Sequence, residues 1–121
     1  MAKKILVIED EGQIAKMIKT RLRANGYRVI SARDGEDGIR KVETENPDLV
    51  ITDHSMKKMT GAQVVEKLKQ TENLKHIPVI LLSGFLQTKV QHEIHIPPDA
   101  YVPKPFEAED LLATIKQILK E

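Results

Sequence analysis

Three short apolar runs rich in β-branched residues constrain this chain more than any other feature: Ile5-Leu6-Val7-Ile8, Leu49-Val50-Ile51 and Val79-Ile80-Leu81-Leu82. None alternates apolar with polar. A strand with one face in water needs that alternation, so an unbroken run bounded by polar residues describes a strand buried on both faces, as in a parallel sheet. Two weaker segments complete the set. Tyr27 to Ala32 is interrupted by Arg28 and Ser31 and reads as an edge strand. Ala100-Tyr101-Val102 reads as a short fifth strand stopped by Pro103. Pro78 falls where the third run begins, a position that costs no essential ladder donor.

Helical spacing fills the intervals. Ile14, Met17, Ile18 and Leu22 share a face between Glu11 and Asn25, and Gly26 is a fitting stop. Asp34 to Glu45 carries Ile39 and Val42 and meets its breaker at Pro47. Gly61 to Thr71 carries Val64, Val65 and Leu68. Glu107 to Lys120 carries Leu111, Leu112, Ile115, Ile118 and Leu119, with Glu107, Glu109 and Asp110 at the end where the helix dipole favours anions. Gln87 to Ile94 is read as a further short helix ended by Pro97-Pro98. Strands alternating with helices imply an α/β fold, with a parallel sheet covered on both faces and right-handed crossovers.

Composition narrows the function. With 121 residues the chain holds one domain, expected over 1–121. The 19 Lys and Arg against 18 Asp and Glu give a net charge of +1, far from the basic excess of a dedicated nucleic-acid binder. No cysteine is present, which removes disulfide scaffolds, thiolate zinc sites and cysteine nucleophiles. No apolar run is long enough for a membrane span or a signal-peptide core, so the expected address is cytoplasmic, without membrane contact.

In an open parallel sheet the ligand crevice lies beyond the carboxyl ends of the strands. There the sequence places Glu9-Asp10-Glu11 after the first strand, Asp53 at the end of the third, Ser83-Gly84 after the fourth and Lys104-Pro105-Phe106 after the fifth. Clustered carboxylates repel unless a cation joins them. A few oxygens with open water positions suit Mg²⁺. A hydroxyl and an ammonium nearby supply the donor and the charge that a phosphoryl group needs.

These residues resemble the receiver domain of response regulators, the phosphoacceptor half of two-component signalling. The resemblance runs from Lys4 to Leu119. It rests on Ile5 to Glu11, on Asp53 with Met56 three and Gly61 eight residues on, on Ser83-Gly84, and on Tyr101-Val102-Pro103-Lys104-Pro105-Phe106. It implies a flavodoxin-like, doubly wound five-stranded sheet in the order 2-1-3-4-5. It implies Asp53 as the residue phosphorylated by a sensor histidine kinase or phosphotransfer protein. Mg²⁺ would be held by Asp10, Asp53 and the Ser55 carbonyl, with Glu9 acting through water. Ser83 and Lys104 would bind the phosphoryl oxygens, Lys104-Pro105 would be cis, and Ser83 with Tyr101 would form the switch. Ser55 and Phe85 would border the path of the attacking water and set the lifetime of the phosphorylated state. Such a domain catalyses its own phosphorylation and hydrolysis but is primarily a switch. Its output is either a separate partner or an effector domain from which this chain is excised. Lys57 stands where the family usually has proline, and Pro97-Pro98 replaces a small-residue turn.

The rivals fit less well. A receiver fold that only binds partners has no need of the acidic, hydroxyl and lysine set. A flavin carrier needs a phosphate-cradling loop after the first strand, where Glu9-Asp10-Glu11 would repel phosphate. An aspartyl phosphatase wants a second aspartate at position 55, which is serine. Along a strand side chains alternate, so His54 is expected to face away from Asp53 and the rim. Phe106 is expected in the core.

Overall fold

The computed structural model describes residues 2–84 and 96–121. The strands are β1 (Lys4–Ile8), β2 (Arg28–Ala32), β3 (Leu49–Asp53), β4 (Val79–Ser83) and β5 (Ala100–Pro103). The helices among the described residues are α1 (Gly12–Ala24), α2 (Gly35–Glu45), α3 (Gly61–Gln70) and α4 (Ala108–Leu119). All neighbouring strands pair in parallel, in the order β2-β1-β3-β4-β5. That is the order the family resemblance implies. The helix expected over Gln87 to Ile94 lies outside the described residues.

Alternation along each strand divides the interior into two cores. Ile5, Val7, Leu49, Ile51, Ile80 and Leu82 face α1 and α4, meeting Ile18, Leu22, Leu111 and Ile115. Leu6, Ile8, Val50 and Val79 face α2 and α3, meeting Ile39, Val42, Val64 and Leu68. Both faces of β1, β3 and β4 are therefore dry, which is why their sequences run apolar without interruption. The mixed β2 is an edge strand with Arg28 exposed. No helix among the described residues is long and apolar enough to cross a membrane.

Local signals set the helix ends. Asp34 caps α2 by accepting the Asp37 N–H at 2.8 Å. Thr60 and Gln63 form a reciprocal capping box at α3. Gly26 ends the α1–β2 turn with φ of 91°, a conformation glycine adopts without steric cost.

The rim at the amino ends of the strands is closed by a fixture of its own. Asp99 donates its backbone N–H to the Val79 carbonyl at 2.9 Å and accepts the Val79 N–H on its carboxylate at 2.7 Å. The Lys69 ammonium joins that carboxylate at 2.8 Å and also donates to the Ile77 carbonyl, tying the end of α3 to the starts of β4 and β5.

Candidate functional site

Register levels the reactive side chains at the opposite rim. Ile8 stands opposite Thr52, so Glu9 and Asp53 follow at the same height on adjacent strands. Asp53 pairs with Leu82, and Ser83 with Pro103, which brings Lys104 next along the chain. The Lys104 N–H donates to the Ser83 carbonyl at 2.7 Å, and the Lys104-Pro105 bond is cis.

The side chains converge. One oxygen from each of Glu9, Asp10 and Asp53 lies within 4.8 Å of the others. Glu9 and Asp53 are buried, at 3% and 4% exposure, while Asp10 is exposed. The Lys104 Nζ lies 2.8 Å from Asp53 Oδ1 and 3.2 Å from Glu9 Oε1. Glu9 Oε2 also accepts the Glu11 N–H at 3.3 Å. Burial, and after it the charge of Asp53, raises the Glu9 carboxyl above its ordinary value against the pull of Lys104. Burial acts to lower Lys104, but its contact with Asp53 and then with Glu9 outweighs this, so its affinity for the proton rises. Two of the three carboxylates thus share one ammonium.

Asp53 Oδ1 lacks a partner in hydrogen-bond geometry among the described residues, although Lys104 approaches it closely. An exposed carboxylate beside two buried ones, one with an unsatisfied oxygen, fits a hard divalent cation that keeps part of its water shell. The donor set therefore fits Mg²⁺.

The remaining expected residues fall as follows. Ser83 is buried at the end of β4. Ser55 is exposed two residues beyond Asp53. Tyr101 is half-buried on β5, and burial raises its phenol. His54 is buried against the start of α3, its Nδ1 accepting the Ala62 N–H at 3.3 Å. Phe106 is partly buried and packs on the α1–α4 core. Phe85 lies outside the described residues. The Glu9–Lys104 pair escapes sequence reading, since it joins positions 95 apart with no local signal.

A family model described as the response regulator receiver domain matches residues 5–116. The chain belongs to this family. A curated relative, the alkaline phosphatase synthesis transcriptional regulatory protein PhoP of Bacillus subtilis, is 36% identical over 99% of this chain and 50% of its own length. The phosphate regulon transcriptional regulatory protein PhoB of Escherichia coli is 31% identical over 99% of this chain and 53% of its own. The chain spans about half the length of the curated relatives it matches. Among solved receiver structures, the signal receiver domain of a signal transduction histidine kinase from Syntrophus aciditrophicus superposes with a TM-score of 0.92 at 31% identity, covering 98% of this chain and 91% of that one. The response regulator TrrA from Thermotoga maritima, in complex with Mg²⁺ and BeF, gives 0.84 at 30% identity, covering 96% and 98%.

Proposed function

We propose that Asp53 is the phosphoacceptor of one receiver unit spanning 1–121, and that the donor is a phosphohistidine of a sensor histidine kinase or phosphotransfer protein. The observation that carries this reading is the Asp53 carboxylate at the end of a central strand, paired with Lys104 and adjoining Glu9 and Asp10. An Asp53 oxygen attacks phosphorus in line while the P–N bond of the donor breaks. The electron pair stays on the imidazole nitrogen, which takes a proton from solvent. Lys104 turns from the Asp53 carboxylate to a phosphoryl oxygen, carrying its charge with it. Ser83 donates its hydroxyl to a second oxygen. Asp10, Asp53 and the Ser55 carbonyl would hold Mg²⁺, with Glu9 acting through water. When bound, the metal neutralises charge on the phosphoryl oxygens.

The acyl phosphate then biases a two-state element. Ser83 moves toward the phosphoryl group and the Tyr101 ring turns inward, altering the face that β5 and α4 present to an output partner. Ser55, two residues beyond the acceptor, borders the path of the hydrolytic water and sets how long the state lasts. The domain works as a switch in the cytoplasm. Incubation with a small phosphodonor and Mg²⁺ adds one phosphoryl mass to the protein and none to Asp53→Asn. Equal labelling of that variant refutes the assignment.

A further inference from the structure

The loop that leaves β3 beside the acceptor, residues 55–60, returns to begin α3. His54 closes it at both ends. Its carbonyl accepts the Met56 N–H at 3.1 Å, making a three-residue turn with Ser55 at the corner, and the Gly61 N–H at 2.9 Å. Its Nδ1 accepts the Ala62 N–H at 3.3 Å, in a place where His54 is buried.

The first four N–H groups of a helix have no partner within it. At α3 all four are satisfied. Those of Thr60 and Gln63 are met by the reciprocal capping box, those of Gly61 and Ala62 by His54. The capping box is internal to the helix start, whereas the His54 bonds join that start to the strand that carries Asp53. The loop between them needs such a fastening. Lys58 has φ of 69°, a left-handed conformation that a lysine enters at a steric cost, and the Met59 N–H donates across it to the Lys57 carbonyl at 2.8 Å. A turn of this kind persists only where its surroundings hold it. The Lys58 ammonium, 66% exposed and 3.9 Å from Asp34, adds little to that hold.

We propose that His54 is a positioning residue for the metal site, fixing the loop that carries the Ser55 carbonyl. The role rests on the reading of Ser55 as a ligand given above. Any residue at position 54 keeps the backbone carbonyl, but the Ala62 bond needs an acceptor at the place of Nδ1. Without it a buried N–H is left unpaired, the start of α3 draws away from β3, and the left-handed turn at Lys58 relaxes. Asparagine carries its amide oxygen close to the place of Nδ1. Phenylalanine and leucine keep apolar bulk there and offer no acceptor.

Mg²⁺ alone, titrated into the full chain and followed by amide NMR shifts, tests this, together with amide hydrogen exchange in EDTA. His54→Phe and His54→Leu should each weaken Mg²⁺ binding about tenfold, the lower end of what is lost with groups that orient metal ligands. In EDTA both should speed exchange of the Ala62 amide. His54→Asn restores the acceptor, so it should bind Mg²⁺ within about threefold of the parent and keep that amide protected. Ile18→Val, in the core on the opposite side of the sheet, lowers stability without touching the loop and should bind Mg²⁺ as the parent does. Parent-like affinity in the Phe or Leu variant, no rescue by His54→Asn, or equal weakening by Ile18→Val overturns the proposal. So does Ala62 exchange that stays at the parent's rate in the Phe or Leu variant. A parent that binds no Mg²⁺ refutes the metal reading of the site itself, and this role with it, whereas equal binding by parent and variants refutes the role alone.

Discussion

A Cβ at position 61 would collide with the Asp53 carbonyl oxygen and the Leu81 side chain. Gly61 is required by this close approach: its N–H donates to the His54 carbonyl at 2.9 Å and draws the start of α3 onto the end of β3. Gly61→Ala should cost about 1–3 kcal/mol by overpacking, measured by urea unfolding. It should also slow labelling of Asp53, because relief of the clash moves the acceptor strand. Full stability with unchanged labelling would contradict the contact. Asp10 presents the opposite case. It adds a third negative charge to a site with one ammonium. Asp10→Asn should therefore raise stability in EDTA by about 1 kcal/mol through relief of repulsion. Mg²⁺ should stabilise the parent by about 1.4 kcal/mol at roughly ten times its Kd, and the variant less. Thermal melts with and without the metal separate the two effects, and a variant that melts lower in EDTA than the parent would count against a repulsive cluster.

Elements differ in how openly the sequence declares them. β1, β3 and β4 are plain because burial on both faces demands apolar residues throughout. β2 is mixed because an edge strand keeps Arg28 in water. Helix limits fall within a residue or so of their expected places, since caps such as Asp34 and breakers such as Gly26 act locally. The convergence of Glu9, Asp10, Asp53 and Lys104 is legible because each ends or follows a recognisable strand, and a parallel sheet brings strand ends together. Contacts between distant side chains leave no such trace. Glu9 with Lys104, Lys69 with Asp99, and Lys19 and Lys41 on Ser31 depend on packing angles that no local pattern encodes. The α3 capping box is a local feature with a measurable value. Thr60→Ala removes the acceptor for the Gln63 N–H and should cost about 1 kcal/mol. Because this helix begins beside Asp53, chemical denaturation and labelling kinetics should respond together; a midpoint equal to the parent's would show the box to be inert.

Across the whole molecule, one hydrogen bond joins segments 94 residues apart: the Tyr27 hydroxyl donates to the Glu121 carboxylate at 2.6 Å. Burial first, and then this acceptor and its charge, push the Tyr27 phenol up to about 12 from its ordinary 10.0. A raised acid is neutral in the folded state while the unfolded chain ionises earlier. The stability it confers is therefore complete below about pH 10 and lost as pH rises through about 12. Tyr27→Phe should cost about 1 kcal/mol at neutral pH through the lost hydrogen bond and should flatten the decline over that alkaline window. Unfolding curves across that range test the sign, and a decline just as steep in the variant would place its cause elsewhere.

The two rims of the sheet are fastened differently, and β5 is held at both of them and paired with β4 between. Its root is clamped by the double Asp99–Val79 bridge with Lys69 bearing on it. Its tip ends at Lys104, whose ammonium is held by Asp53 and Glu9. A pull on Lys104 is therefore expected to reach the backbone first at Ser83, whose carbonyl accepts the Lys104 N–H at 2.7 Å, rather than at any unpaired stretch of β5.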